Sequence, residues 1–139
     1  MKNKIELELE KIGKWYCSKD SKGKPRSKLH QVGWEKFLVQ VLDERAVSSI
    51  EFGSAAFYLG KYYRKKHIPL FQAALKRAAD KAVKNACENS AENAYQLLIA
   101  LENAGEDPFG PAGVGSLGIL DHELNVMVAL DYLARDKKK

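Results

Sequence analysis

The sequence is poor in the residues that most site chemistry needs. Its 139 residues hold two cysteines, Cys17 and Cys87, and no C-x-x-C, so neither a disulfide framework nor a thiolate zinc site is expected. A pairing of Cys17 with Cys87 is the alternative to two reduced thiols. Three histidines, His30, His67 and His122, stand in separate segments with no cysteine or second histidine near them in sequence. His122 and Glu123 begin the H-E-x-x-H zinc pattern, but Val126 occupies the second histidine position and the motif fails. Neither a metal nor a cofactor is therefore expected. Also lacking are an N-x-S/T glycosylation acceptor, the apolar stretch of a secretion signal, and any run of about 18 apolar residues able to cross a membrane. A cytoplasmic chain with no membrane partner is the expectation.

What is present suits a helical globular protein. The hydrophobic fraction is 45% and the charged fraction 29%, which argues against global disorder. A chain of this length can bury roughly two-thirds of its unfolded surface, so residues 1–139 are expected to form one helical domain without a staple. The net charge of +5 favours acidic partners.

Helical periodicity dominates. Residues 5–10, "IELELE", fit two patterns: alternation implies a short strand or hairpin, whereas Ile5, Leu9, Ile12 and Tyr16 follow helical spacing. Helix is the preferred reading. Residues 18–28, "SKDSKGKPRSK", offer nothing apolar to bury and contain Pro25, so a flexible basic loop is expected. Five helical segments follow. The first spans 27 or 29 to 43, with a stripe of Val32, Trp34, Phe37, Leu38, Val41 and Leu42. The second, 47–66, puts Ile50, Ala55, Leu59 and Tyr62 on one face and ends in cations that suit a helix carboxyl end. Pro69 restarts the chain for 69–88, whose inner face holds Phe71, Leu75, Ala78, Ala82 and Ala86. Ser90 is expected to cap 91–104, and Gly105 to stop it. Segments 91–104 and 119–135 are apolar nearly all round, which predicts a central position for both. The fold class that results is all-α, an irregular bundle of five to six helices.

One L-G-x-x-Y piece, Leu59, Gly60 and Tyr63, is similar to the first helix of tetratricopeptide repeats. It occurs once, and the second-helix positions do not follow, so no repeat architecture is implied. "GVGSLG", residues 113–118, has the G-x-G-x-x-G spacing of a dinucleotide fingerprint. That fingerprint must follow a strand and open a βαβ unit. The residues before it, "ENAGEDPFGPA", have loop chemistry instead, so 105–118 is expected to be a Gly/Pro-rich connection.

Three functions remain. A non-catalytic module binding another protein, one with an acidic surface, is favoured; an adaptor, an inhibitor or an immunity-type protein would fit. Interfaces favour Trp, Tyr and Arg, and Trp15, Tyr16, Trp34, Tyr62, Tyr63, Arg64 and Phe109 are the candidate contacts. Nucleic-acid binding is the alternative. It would use Lys22, Lys24 and Arg26 in the basic loop, Arg64, Lys65 and Lys66 beside Tyr62 and Tyr63, and the lysine tail 137–139. A small enzyme is the third, with carboxylates from Glu102, Glu106, Asp107 and Asp121 near residues 102–123.

Overall fold

In a computed structural model of the chain, which describes residues 3–17, 32–63, 65–85, 88–109 and 122–137, all regular structure is helical. The six helices are α1 (Lys4–Cys17), α2 (Val32–Glu44), α3 (Ile50–Tyr62), α4 (Ile68–Asn85), α5 (Glu88–Asn103) and α6 (His122–Lys137). The basic loop with Lys22, Lys24 and Arg26, the residues Arg64, His30 and Cys87, the GVGSLG stretch and Asp121 lie outside the described residues.

The amino-terminal ambiguity resolves to helix, and the strand alternative is overturned. A strand would bury Ile5, Leu7 and Leu9 together. Instead Ile5 and Leu9 pack on the core while Leu7 is exposed. Asn3 starts α1 with a reciprocal cap: its Oδ1 accepts from the Glu6 amide at 2.8 Å, and its Nδ2 donates to Glu6 Oε1 at 3.2 Å.

Helix ends follow local chemistry. Ser49 caps α3, its hydroxyl accepting from the Phe52 amide at 3.1 Å. Pro69 sits in the first turn of α4, where its missing N–H costs nothing. Gly105 ends α5 at φ +94°, with Glu106 N–H bonded to Leu101 O and Gly105 N–H to Glu102 O, both at 3.0 Å. That bond pair satisfies the last carbonyls of α5, and the positive φ explains the glycine. Ser90 does not cap α5 as expected: the helix starts earlier, at Glu88, and Ser90 is buried inside it.

One apolar core draws on all six helices, with Phe52, Phe71, Leu59, Leu75, Leu97 and Leu101 fully buried. Each such side chain contributes roughly 1.5–3 kcal/mol by leaving water. Helix α5 is central, packing against α3, α4 and α6, while α1 and α2 pack on α3. Helix α6 is not central. It packs mainly on α4 and α5, and leaves Met127 65% and Leu130 40% exposed. Its apolar composition on every side specified greasy surfaces without specifying how many neighbours would cover them. Among the described residues, no helix is long and apolar enough to cross a membrane.

Candidate interaction surface

The carboxyl-terminal half of α1 lies on α3 and builds an aromatic cluster in two tiers. In the inner tier Trp15 meets Trp34 edge-on at 5.8 Å between ring centroids, and Tyr62 at 5.4 Å. Trp34 is also tied to α1 by an indole N–H donated to Glu8 Oε1 at 2.8 Å. The outer tier is Tyr16, Phe57 and Tyr58, mutually edge-to-face at 5.4–5.7 Å. Tyr16 carries the Lys61 ammonium 5.4 Å above its ring. Burial, with smaller contributions from the neighbouring Cys17 and Tyr16, pushes the Tyr58 phenol above its ordinary range, and Tyr62 is raised chiefly by burial as well. Both stay neutral hydroxyls at pH 7 and are not poised for proton transfer.

Beside this tier runs a groove between α3 and α5. The helices approach closely because Gly60 faces Ala100 and Gly53 faces the Asn93 amide. Asn93 Nδ2 donates to Val47 O at 2.8 Å and to Ser49 O at 2.9 Å, fixing the entry to α3 from α5. Gly53, Ser54 and Tyr58 line one concavity of about 310 Å³, and Gly60, Lys61 and Ile99 another of about 230 Å³. Phe57 borders both. Along the outer side of α3, Ile50 (82% exposed), Ser54, Phe57 (38% exposed) and Lys61 form one line at helical spacing.

The sequence-level candidates divide differently from expectation. Trp15, Trp34 and Phe109 are 8%, 4% and 7% exposed, so all three belong to the core and none is a surface anchor. Phe109 is held there because Arg135 donates to the carbonyls of Asp107 and Pro108 at 3.2 and 3.3 Å, which fastens its turn to α6. Tyr62 is half-buried in the aromatic cluster. Tyr63 packs edge-on against His67 at 6.1 Å, and its phenol is raised by burial, then by Glu35. Lys66 and His67 both grip Glu35 of α2, at 2.9 and 2.8 Å, docking α2 on the α3–α4 turn. Lys65 is exposed.

Around residues 102–109, Glu106 accepts from the buried Tyr132 hydroxyl at 2.7 Å, and Tyr132 accepts from Gln72 Nε2 at 2.9 Å. This network joins α4, the α5 exit and α6. Among the described residues no three His, Cys, Asp or Glu side chains converge as a metal ion requires.

Sequence spacing put Ile50 on one face with Ala55, Leu59 and Tyr62, and this is corrected: Ala55 and Leu59 are buried with Phe52, whereas Ile50 is 82% exposed. The line Ile50, Ser54, Phe57, Lys61 was visible as i, i+4, i+7, i+11 spacing, but it looks like a second core face until the true core is known. No family model, characterised protein or solved structure matches the chain.

Proposed function

We propose that the chain is a non-catalytic helical binding module acting by contact with another protein, as an adaptor, inhibitor or immunity-type protein does. The observation that carries this reading is the outer face of α3, where Ile50 and Phe57 stand exposed beside Tyr16, Tyr58 and Lys61, next to two concavities that Phe57 borders. Large apolar and aromatic side chains grouped at a surface, flanked by polar residues, are what protein interfaces use for their central contacts. The rings brace one another edge-to-face, so little side-chain freedom is lost on binding. Lys61 beside the rings favours an acidic group on the partner.

The nucleic-acid reading draws less support. Lys66 is paired with Glu35, and Tyr62 and Tyr63 pack edge-on against other rings rather than offering open faces for bases to stack on.

The test is affinity capture from the native cell with the wild-type chain and with an Ile50→Ser, Phe57→Ser variant, partners being identified by mass. A protein retained by the first and lost by the second is the expected result. Identical captures would remove the reading. Binding of random-sequence oligonucleotides that falls steeply with salt, and weakens in a Lys22→Glu, Arg64→Glu variant, would favour the alternative.

A further inference from the structure

The outer line of α3 has an internal symmetry. Positions 50 and 61 share a midpoint with positions 54 and 57, between Ala55 and Ala56. Turned end for end about that midpoint, the line maps onto itself: Ile50 falls on Lys61, and Ser54 on Phe57. Large therefore opposes small, and aliphatic opposes the long alkyl stem of a lysine. The charges follow the same rule. Glu51 lies in the first turn of α3 and Lys61 in its last, so reversal brings each to within about one residue rise, ~1.5 Å along the axis, of the other's level.

We infer that the groove-side face of α3 receives a second copy of this chain, through an antiparallel α3–α3 contact about a two-fold axis level with Ala55 and Ala56. The inference rests on the protein-binding reading above and names the partner. A two-fold contact uses one patch on both copies, so each interaction occurs twice. Phe57 of each copy seats against Ser54 and Gly53 of the other, where the side chains are small and the concavity of about 310 Å³ opens. The stem of Lys61 lies along Ile50 of the second copy, covering the most exposed large apolar side chain of the described residues. Its ammonium reaches Glu51 of that copy, which supplies the acidic group that Lys61 calls for. Antiparallel alignment also sets the two helix dipoles head to tail.

Sedimentation equilibrium over a range of protein concentrations tests this, with circular dichroism showing that each variant stays folded. The wild type should follow a monomer–dimer equilibrium, and Phe57→Asp should raise its dissociation constant by about tenfold or more. Glu51→Lys alone and Lys61→Glu alone should each weaken the dimer by about tenfold, since each sets like charges opposite twice. Mixing those two single variants, or combining both changes in one chain, should restore association, because opposite charges again face each other. A wild type that stays monomeric at every concentration, a dimer indifferent to charge reversal, or a mixture that fails to re-associate would each overturn the inference. If the chain is monomeric yet a captured protein is lost by the Ile50→Ser, Phe57→Ser variant, the second-copy inference falls and the binding reading stands. If neither is seen, both fall.

Discussion

Gly60 and Ala100 set the separation of α3 and α5: a methyl group on Gly60 would stand 2.5 Å from Ala100 Cβ and 2.9 Å from its Cα. The second distance is to backbone, which no rotamer change can relieve. Gly60→Ala gains about 1 kcal/mol of helix propensity, but forcing two packed helices apart costs about 1–3 kcal/mol, and more where backbone is met. The variant should be destabilised by about 1–2 kcal/mol, read as a lower denaturant midpoint. An unchanged or raised midpoint would show that the seam can widen freely.

Glu35 makes α2 sensitive to acid. The hydrogen bond from Lys66 holds its carboxyl below the ordinary range; partial burial opposes this and the His67 bond adds to it. A carboxyl depressed in the folded state stabilises the fold above its unfolded value, and that contribution is lost as pH falls through its folded value. Glu35→Gln should therefore cost about 1 kcal/mol at neutral pH, because Lys66 is largely exposed and the pair is partly screened. It should also flatten the loss of stability below about pH 5. Unfolding midpoints at several pH values check both, and parallel acid profiles for wild type and variant would refute the assignment.

The Tyr132 hydroxyl is shared between Glu106 and Gln72 in a site only 2% exposed. Tyr132→Phe keeps the ring and removes the hydroxyl that both partly exposed partners bond, for a cost of about 0.5–1.5 kcal/mol. Amide hydrogen exchange should quicken at residues 104–109, since these depend on α6 for their anchoring. Faster exchange confined to other regions would argue that Arg135 alone holds the turn.

Asn93 spans α5 and the entry to α3 by donating to two carbonyls. Asn93→Ala removes both bonds, taking this donor from Val47 O and leaving Ser49 O with the Gly53 amide at 3.3 Å, at a cost of about 1–3 kcal/mol. Asn93→Asp should be no better, because a carboxylate has no N–H to give. Thermal unfolding of the pair separates loss of donation from loss of bulk.

The acid–base part of the surface was not legible in sequence, and the reason is distance along the chain. Glu35 and His67 are 32 residues apart, and Glu106 and Tyr132 are 26 apart. No local spacing announces such pairs. The aromatics were visible as residues, but their fates were not: Trp34 and Phe109 went to the core, while Phe57 and Ile50 went to the surface.

The order of amino acids by itself marked most of the helical segments and some of their ends. Periodicity, Pro69 at a first turn and Gly105 at a left-handed exit act within a few residues, and local sterics decide them. Tertiary packing decided the rest. Residues 5–10 are helical because that spacing reaches the core with Ile5 and Leu9, and α6 lies at the edge because α3 and α4 already flank α5. Which apolar line of α3 points inward depends on where α2 and α5 lie, and so the face left for binding was settled by neighbours that no stretch of α3 encodes.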